Sequence, residues 1–448
     1  MTHISRDPWR RSRITKAIVD AGIVPGWDDA DAMLQGTRLR VNLASALSAT
    51  PAGQAALLTA VATAMRCFEC VEADCPVDMQ LCCPLPIGAT LGEAVRALGG
   101  MLAEGGMAPS THTISIGAVA CRGFSIRCWW DGWCAGVLPG DDSREVGEGW
   151  NSLSGIASAA LAVREVFASA IGQPRAGRRA SLLSLWRSWE APMATATGPR
   201  ELAIPNALWM VGLGHLGQGT AWALSFLPVV GCPLAILQDD QIIEPENEAT
   251  CLLVRPGQLG WKKTRVVAHW LEAVGWQTRL IERRHDGNMR PSEFEPSLCL
   301  CGLDDPSPRR LIAASGYQYV IDGGVGHGPN DFQRLQVKVV RNGQADGLWS
   351  PGVSAERDVE ALLAQPAYQN YARQPGICGA LPLAQASVAV PFVGAFAGAL
   401  TVATAIRIAN LEDVPKSLQI ELPAPDLVTV SDMISTTTPV SAVNALLG

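Results

Sequence analysis

Residues 206–217 read Asn-Ala-Leu-Trp-Met-Val-Gly-Leu-Gly-His-Leu-Gly, an apolar run that breaks onto three glycines. Few local patterns restrict a fold so tightly. The apolar residues suit a strand buried on both faces, and Gly212, Gly214 and Gly217 then allow a sharp turn that opens a helix. Without a Cβ at the turn, backbone amides can approach an anion at the positive end of the helix dipole. Taken alone, the motif fits any phosphate-bearing ligand or a purely structural turn.

The pattern repeats downstream. Residues 233–238, 298–303 and 319–322 read as further short buried strands, and Lys262 to Val274 as a helix with Val266, Val267, Trp270, Leu271 and Val274 on one face. Short apolar strands separated by helices predict an α/β fold, a mostly parallel Rossmann-like sheet covered on both faces. The first half alternates in the same way. It shows strand signals at 38–44, 67–73, 113–117 and 124–130, a helix from the Thr50 cap and Pro51 to Met65, and an Ala-rich helix over 154–171. It has no phosphate glycines. The Gly-, Pro- and Arg-rich stretch 172–201 marks the boundary. The expected order is a degenerate Rossmann-like α/β domain over 1–175, a linker over 176–200 and a nucleotide-binding domain over 201–448.

Three pairs of charged residues carry the chemistry. Asp239 and Asp240 end the second strand of the second half, where a carboxylate meets ribose hydroxyls in dinucleotide folds. Only five of the 35 basic residues are lysines, yet Lys262 and Lys263 stand together in the first turn of a helix. The helix dipole disfavours cations there by roughly 0.3–1 kcal/mol, so the pair points to an anion such as a triphosphate. Asp304 and Asp305 end the 298–303 strand, at the carboxyl edge of the sheet where ligands bind. Hard oxygens there suit Mg²⁺ held with nucleotide phosphates, and Asp305 also suits a helix cap.

In this order, Gly212-x-Gly214-x-x-Gly217, Asp239, Asn247 eight residues on, Lys263 sixteen further, and Asp304 with Arg309 five beyond resemble the adenylation domain of the ThiF/MoeB family, relatives of ubiquitin-activating enzymes. The resemblance extends through Val390-Pro-Phe-Val-Gly-Ala-Phe-Ala-Gly-Ala-Leu400. It implies that Mg-ATP binds the glycine loop, with Asp239 on the ribose, Asn247 and Lys263 on phosphates and Asp304 on Mg²⁺. Where that family has an arginine three residues after the Asn, this chain has Thr250. Arg255, Arg309 or an arginine from another subunit would then neutralise the phosphates. The resemblance also implies a crossover loop over about 342–390 that carries Cys378 as a thioester-forming nucleophile. Asn151 to Phe167 is similar to a helix of inactive adenylation halves.

The implied activity is adenylation of the C-terminal carboxylate of a ubiquitin-like protein, thioester formation on Cys378, and transfer to a ubiquitin-conjugating-enzyme-like acceptor. Two alternatives are a non-catalytic activating-enzyme-like scaffold, suggested by Thr250, and a nicotinamide or flavin oxidoreductase, which gives Lys263 and Asp304 no role. A net charge of −7 argues against a broad nucleic-acid face. The 13 cysteines are an odd number over a long chain, which suits a reducing cytoplasm. Cys67-x-x-Cys70, Cys75 and Cys82-Cys83 have loosely zinc-like spacing but fall on predicted strands. Residues 387–406 match a membrane span in length but are Ala- and Gly-rich, and read as a helix buried against a sheet rather than in a membrane. Assembly as a homodimer is left open.

Overall fold

The computed structural model describes residues 12–103, 110–117, 123–190, 198–303, 306–326, 331–342, 359–372, 384 and 388–448. Two large sheets organise these residues. In the first half, β1 (Arg38–Leu43), β2 (Cys70–Asp74), β3 (Met101–Leu102), β4 (His112–Ile116), β5 (Phe124–Asp131), β6 (Cys134–Pro139) and β7 (Ser181–Ser184) lie in the order β3-β2-β1-β4-β5-β6-β7. The neighbours from β3 to β5 are parallel, and β6 and β7 add antiparallel.

In the second half, β8 (Glu201–Pro205) pairs with the C-terminal β19 (Ala442–Leu446). The main sheet there comprises β9 (Ala207–Val211), β10 (Leu234–Gln238), β11 (Gln277–Ile281), β12 (Leu298–Cys301), β13 (Tyr319–Val325), β14 (Arg334–Arg341), β16 (Ser417–Glu421) and β17 (Val428–Val430). Its order is β11-β10-β9-β12-β13-β14-β16-β17, again parallel up to β13 and antiparallel beyond. The short β15 (Val414–Pro415) and β18 (Met433–Ile434) pair separately. The first half therefore repeats the second strand for strand, with β3-β2-β1-β4-β5 standing where β11-β10-β9-β12-β13 stand. The α/β expectation holds for both halves.

Helices cover the sheets. They are α1 (Ser12–Asp20), α2 (Trp27–Gln35), α3 (Pro51–Ala64), α4 (Leu91–Ala97), α5 (Ser152–Ala170), α6 (His215–Leu224), α7 (Pro245–Thr250), α8 (Lys263–Ala273), α9 (Pro306–Ala313), α10 (Val359–Ala364), α11 (Pro366–Ala372) and α12 (Pro391–Ala409). Thr50 caps α3 by accepting the Gly53 N–H at 3.1 Å, with Pro51 in the first turn. The strand expected from Cys67 begins only at Cys70, because the Cys67 and Phe68 amides both donate to Ala64 O and finish the helix end.

The repeat extends to helix packing. α5 crosses α3 and α12 crosses α6, and the fourth residue of each crossing helix is a glycine, Gly155 and Gly394. A Cβ on Gly155 would stand 2.2 Å from Ala52 O, and one on Gly219 would stand 2.0 Å from Gly394 O. Side chains there would separate backbones that touch. α12 is buried along its whole length, so its membrane-like composition belongs to a helix enclosed by α5, α6 and the β13–β14 pair.

The larger apolar core runs from α1 to the C-terminal strand, and a smaller one joins β9, β10, β12 and β13 to α9. Polar contacts stitch the halves as well: Trp222 Nε1 donates to Thr59 Oγ1 at 2.9 Å, and Arg164 Nε to Gln333 Oε1 at 2.8 Å. The buried Arg66 guanidinium donates to the carbonyls of Cys251 (3.0 Å), Leu252 (3.1 Å) and Val254 (3.0 Å), which fixes the loop after α7.

Candidate functional site

The three glycines after β9 do different work. Gly212 holds φ +80°, a left-handed conformation that favours glycine, and a Cβ there would press on the 302–303 backbone at 3.0 Å. A Cβ on Gly217 would lie 2.1 Å from Gly212 O, so this glycine lets α6 close onto its own loop. Gly214, the N-cap of α6, is unlike both. Its Cβ would meet only Lys263 Nζ, at 3.8 Å, so the missing side chain leaves open space at the helix N-terminus.

Asp239 follows β10, and its carboxylate accepts the Leu213 N–H at 2.7 Å and the Gln241 N–H at 2.8 Å. It clamps the glycine loop to the end of the neighbouring strand. The two adjacent lysines diverge. Lys262 caps α8 from outside and donates to Asp240 O at 2.6 Å, whereas Lys263 is 7% exposed and reaches into the cleft, donating to Gln241 Oε1 at 2.6 Å. Of the pair, only Lys263 lines the cavity.

The cleft wall also includes Asn247, Glu244, Glu246 and Thr250 from the α7 region, and Arg309 from α9. Asn247 Oδ1 accepts the Glu244 N–H at 2.9 Å and thereby fixes the start of α7. Arg309 donates to Leu303 O and faces the buried Asp322 carboxylate at 3.5 Å, with its guanidinium lying over Gly324. His215, first residue of α6, bonds Val390 O through Nε2 at 2.8 Å and ties the loop to the entry of α12. Burial lowers its pKa to about 4, which leaves the ring neutral, and an N–H facing a carbonyl must be the donor.

Several wall residues, Arg13, His215, Glu244 and Glu246 among them, were not foreseen from sequence. Arg13 of α1, from the far end of the chain, lines the cleft and pairs with Glu246 at 2.8 Å. The N-terminal arginines carry a weak signal, since Arg13 precedes an apolar helix face, but nothing local ties them to α7, where Glu246 is 233 residues further on. Arg255, one of the three arginine sources considered for the phosphates, does not line the cleft. It is buried against the Trp270 ring, 5.1 Å from its centroid, and donates to the carbonyls of Leu252 and Val254.

Gly212, Gly214, Asp239, Asn247, Lys263 and Arg309 are thus brought around one cleft, with Gly217 beneath the loop. Asp304, Asp305 and Cys378 lie outside the described residues. Cys251, Cys299 and Cys301 are buried, and desolvation pushes their thiols up, against thiolate chemistry. Among the described residues no group of three or more His, Cys, Asp or Glu is placed to hold a metal, and this includes the Cys67–Cys83 region.

Fold and site together define a two-half Rossmann-like α/β protein with a cleft, lined by both cations and carboxylates, at the carboxyl edge of the second sheet. The chain belongs to the BilD family: the model of the BilD N-terminal domain matches residues 38–185, and that of the BilD C-terminal domain matches 204–412. It is 33% identical over 410 residues to the Bacterial E1-like protein BilD of Collimonas sp. (strain OK412), spanning 88% of this chain and 87% of that protein. The relationship supports an E1-like, activating-enzyme type of protein. It also corrects the ThiF/MoeB attribution, because both matching family models are BilD domains. The motif spacings behind that attribution describe how a glycine loop, a strand-end carboxylate and a helix-head lysine must be spaced to meet in one cleft. Such spacings are a property of the architecture and do not separate families.

Proposed function

We propose that the chain catalyses ATP-dependent adenylation of the C-terminal carboxylate of a ubiquitin-like protein. The observation that carries this reading is the open space at Gly214, bounded by the N-terminus of α6 on one side and Lys263 Nζ on the other. A phosphate fits that cradle, which a methyl group would fill. Arg13 and Arg309 add positive charge to the same cleft. These three cations share the cavity wall with the carboxylates of Asp239, Glu244 and Glu246.

In this reading the substrate carboxylate oxygen forms a bond to the α-phosphorus of ATP, and the bond to the bridging oxygen breaks as pyrophosphate leaves. The protein need supply no covalent nucleophile. Lys263, Arg13 and Arg309 offset the charge that builds on the leaving pyrophosphate, and the α6 amides hold phosphate oxygens. Asp239, having both carboxylate oxygens committed to the loop amides, still has lone pairs for ribose hydroxyls. Mg²⁺ would neutralise phosphate charge, with Asp304 as its proposed ligand. Cys378 is the proposed acceptor of the acyl group as a thioester, before transfer to a conjugating-enzyme-like partner in the reducing cytoplasm. The test is ATP–pyrophosphate exchange with a ubiquitin-like protein ending in glycine. Exchange that requires this protein supports the reading. Equal exchange with and without it would overturn the substrate assignment.

A further inference from the structure

α1 delivers Arg13 to the cleft, and a segment from far along the chain grips the same helix. Lys16, one turn after Arg13, is 1% exposed, an unusual position for a lysine. Its Nζ donates to Asp20 Oδ2 at 2.6 Å and to Tyr368 Oη at 2.6 Å, and Tyr368 Oη donates to Asp20 Oδ1 at 2.5 Å. Tyr368 belongs to α11 and is fully buried, with the Trp27 ring edge-on at 5.6 Å. Three side chains from two distant segments thus close a ring of charge-assisted hydrogen bonds.

Stability alone does not account for such a ring, because a buried ion pair can often be replaced by apolar residues at no loss. What directional bonds add is register. Tyr368 can accept from Lys16 and donate to Asp20 only if α1 holds one axial and rotational setting. Arg13 and Lys16, three residues apart, share a helix face, so that setting also aims the guanidinium. α1 packs on α7, and there Arg13 meets Glu246 at the cleft wall. A short helix held only by apolar contacts could slide, and a shift of about 1 Å at a phosphate-binding group can cost a hundredfold.

We infer that Lys16, Asp20 and Tyr368 form a positioning lock that holds Arg13 against the phosphates of the bound nucleotide. This inference rests on the nucleotide reading above. The test is calorimetric Mg-ATP binding to the full chain as wild type, Arg13→Ala, Tyr368→Phe and the double variant. Tyr368→Phe keeps the ring against Trp27 and removes only the hydroxyl, and Asp20→Asn serves as a second, nearly isosteric break. Arg13→Ala and Tyr368→Phe should each weaken Mg-ATP by on the order of tenfold or more, and the double variant should bind no more weakly than Arg13→Ala. A lock with only a structural role would lower affinity further in the Arg13→Ala background, and losses that multiply in this way would overturn the inference. Wild-type affinity in both Tyr368→Phe and Asp20→Asn would also overturn it. A wild-type chain that binds no Mg-ATP would overturn the nucleotide reading itself, and the inference with it.

Discussion

Replacing Gly214 with alanine should separate nucleotide binding from folding. The new Cβ would meet only Lys263 Nζ, at 3.8 Å, which is an ordinary van der Waals contact. Losing glycine at this N-cap costs about 1 kcal/mol of stability at most. The methyl, however, occupies the space through which a phosphate oxygen would reach the α6 amides. A charge-assisted hydrogen bond is worth about 1.5–3 kcal/mol, so losing one weakens Mg-ATP by roughly 10- to 100-fold. Gly217→Ala is the opposite case. Its Cβ would lie 2.1 Å from the Gly212 carbonyl oxygen, backbone against backbone, and one of the two must move. Forced overpacking of this kind costs about 1–3 kcal/mol or more. Thermal unfolding and calorimetric titration of both variants measure the two effects. Gly214→Ala binding Mg-ATP with wild-type affinity would refute the phosphate cradle, and Gly217→Ala melting with the wild type would refute the packing argument.

Other outcomes follow from the same geometry. Lys263→Ala should slow pyrophosphate exchange by about 10²–10³-fold, whereas Lys262→Ala, which loses only an exposed bond to Asp240 O, should leave exchange unchanged and stability within about 0.5 kcal/mol. His215 has a folded pKa of about 4, below the ordinary imidazole value of 6.5, because burial disfavours the charged ring. The unfolded chain therefore binds the proton more readily, and the stabilisation is fully present above pH ~6.5 and lost as pH falls towards 4. Urea unfolding across that range should show a shallower acid loss in His215→Gln, by up to about 3 kcal/mol. Cys378→Ala should keep pyrophosphate exchange but lose a thiol-sensitive adduct with the ubiquitin-like protein on non-reducing gels. An adduct that persists would assign the acceptor role to another cysteine.

The elements that sequence made legible are those written in short-range pattern. β9, its glycine turn and α6 occupy one continuous stretch, and Asp239 and the Lys262–Lys263 pair each sit at the end of an element with a clear apolar pattern, so position along the chain marked them. β11 escaped notice because Gln277–Ile281 is largely exposed at the sheet edge and lacks a buried run. The repeated topology of the first half was only partly visible: its β1–α3 turn has no glycine loop, and β7 arrives after a long helix. The two lysines could not be told apart, since a single residue of helical phase sends Lys262 to solvent and Lys263 inward. Arg255 could not be told apart from Arg309 in the sequence, because its packing against Trp270 depends on how α8 sits beneath the loop after α7. Arg13 had only a weak local signal, and none that tied it to the cleft. Its place at the cleft depends on how α1 docks, and that is fixed by Tyr368 more than 350 residues away.

The most direct measurement is the intact mass of a glycine-ended ubiquitin-like protein that binds the chain, taken after incubation with Mg-ATP and an acid quench. The expected result is a population carrying AMP on its C-terminal carboxylate, abolished by Lys263→Ala. An unchanged substrate mass with a chain that binds both Mg-ATP and the ubiquitin-like protein would contradict it.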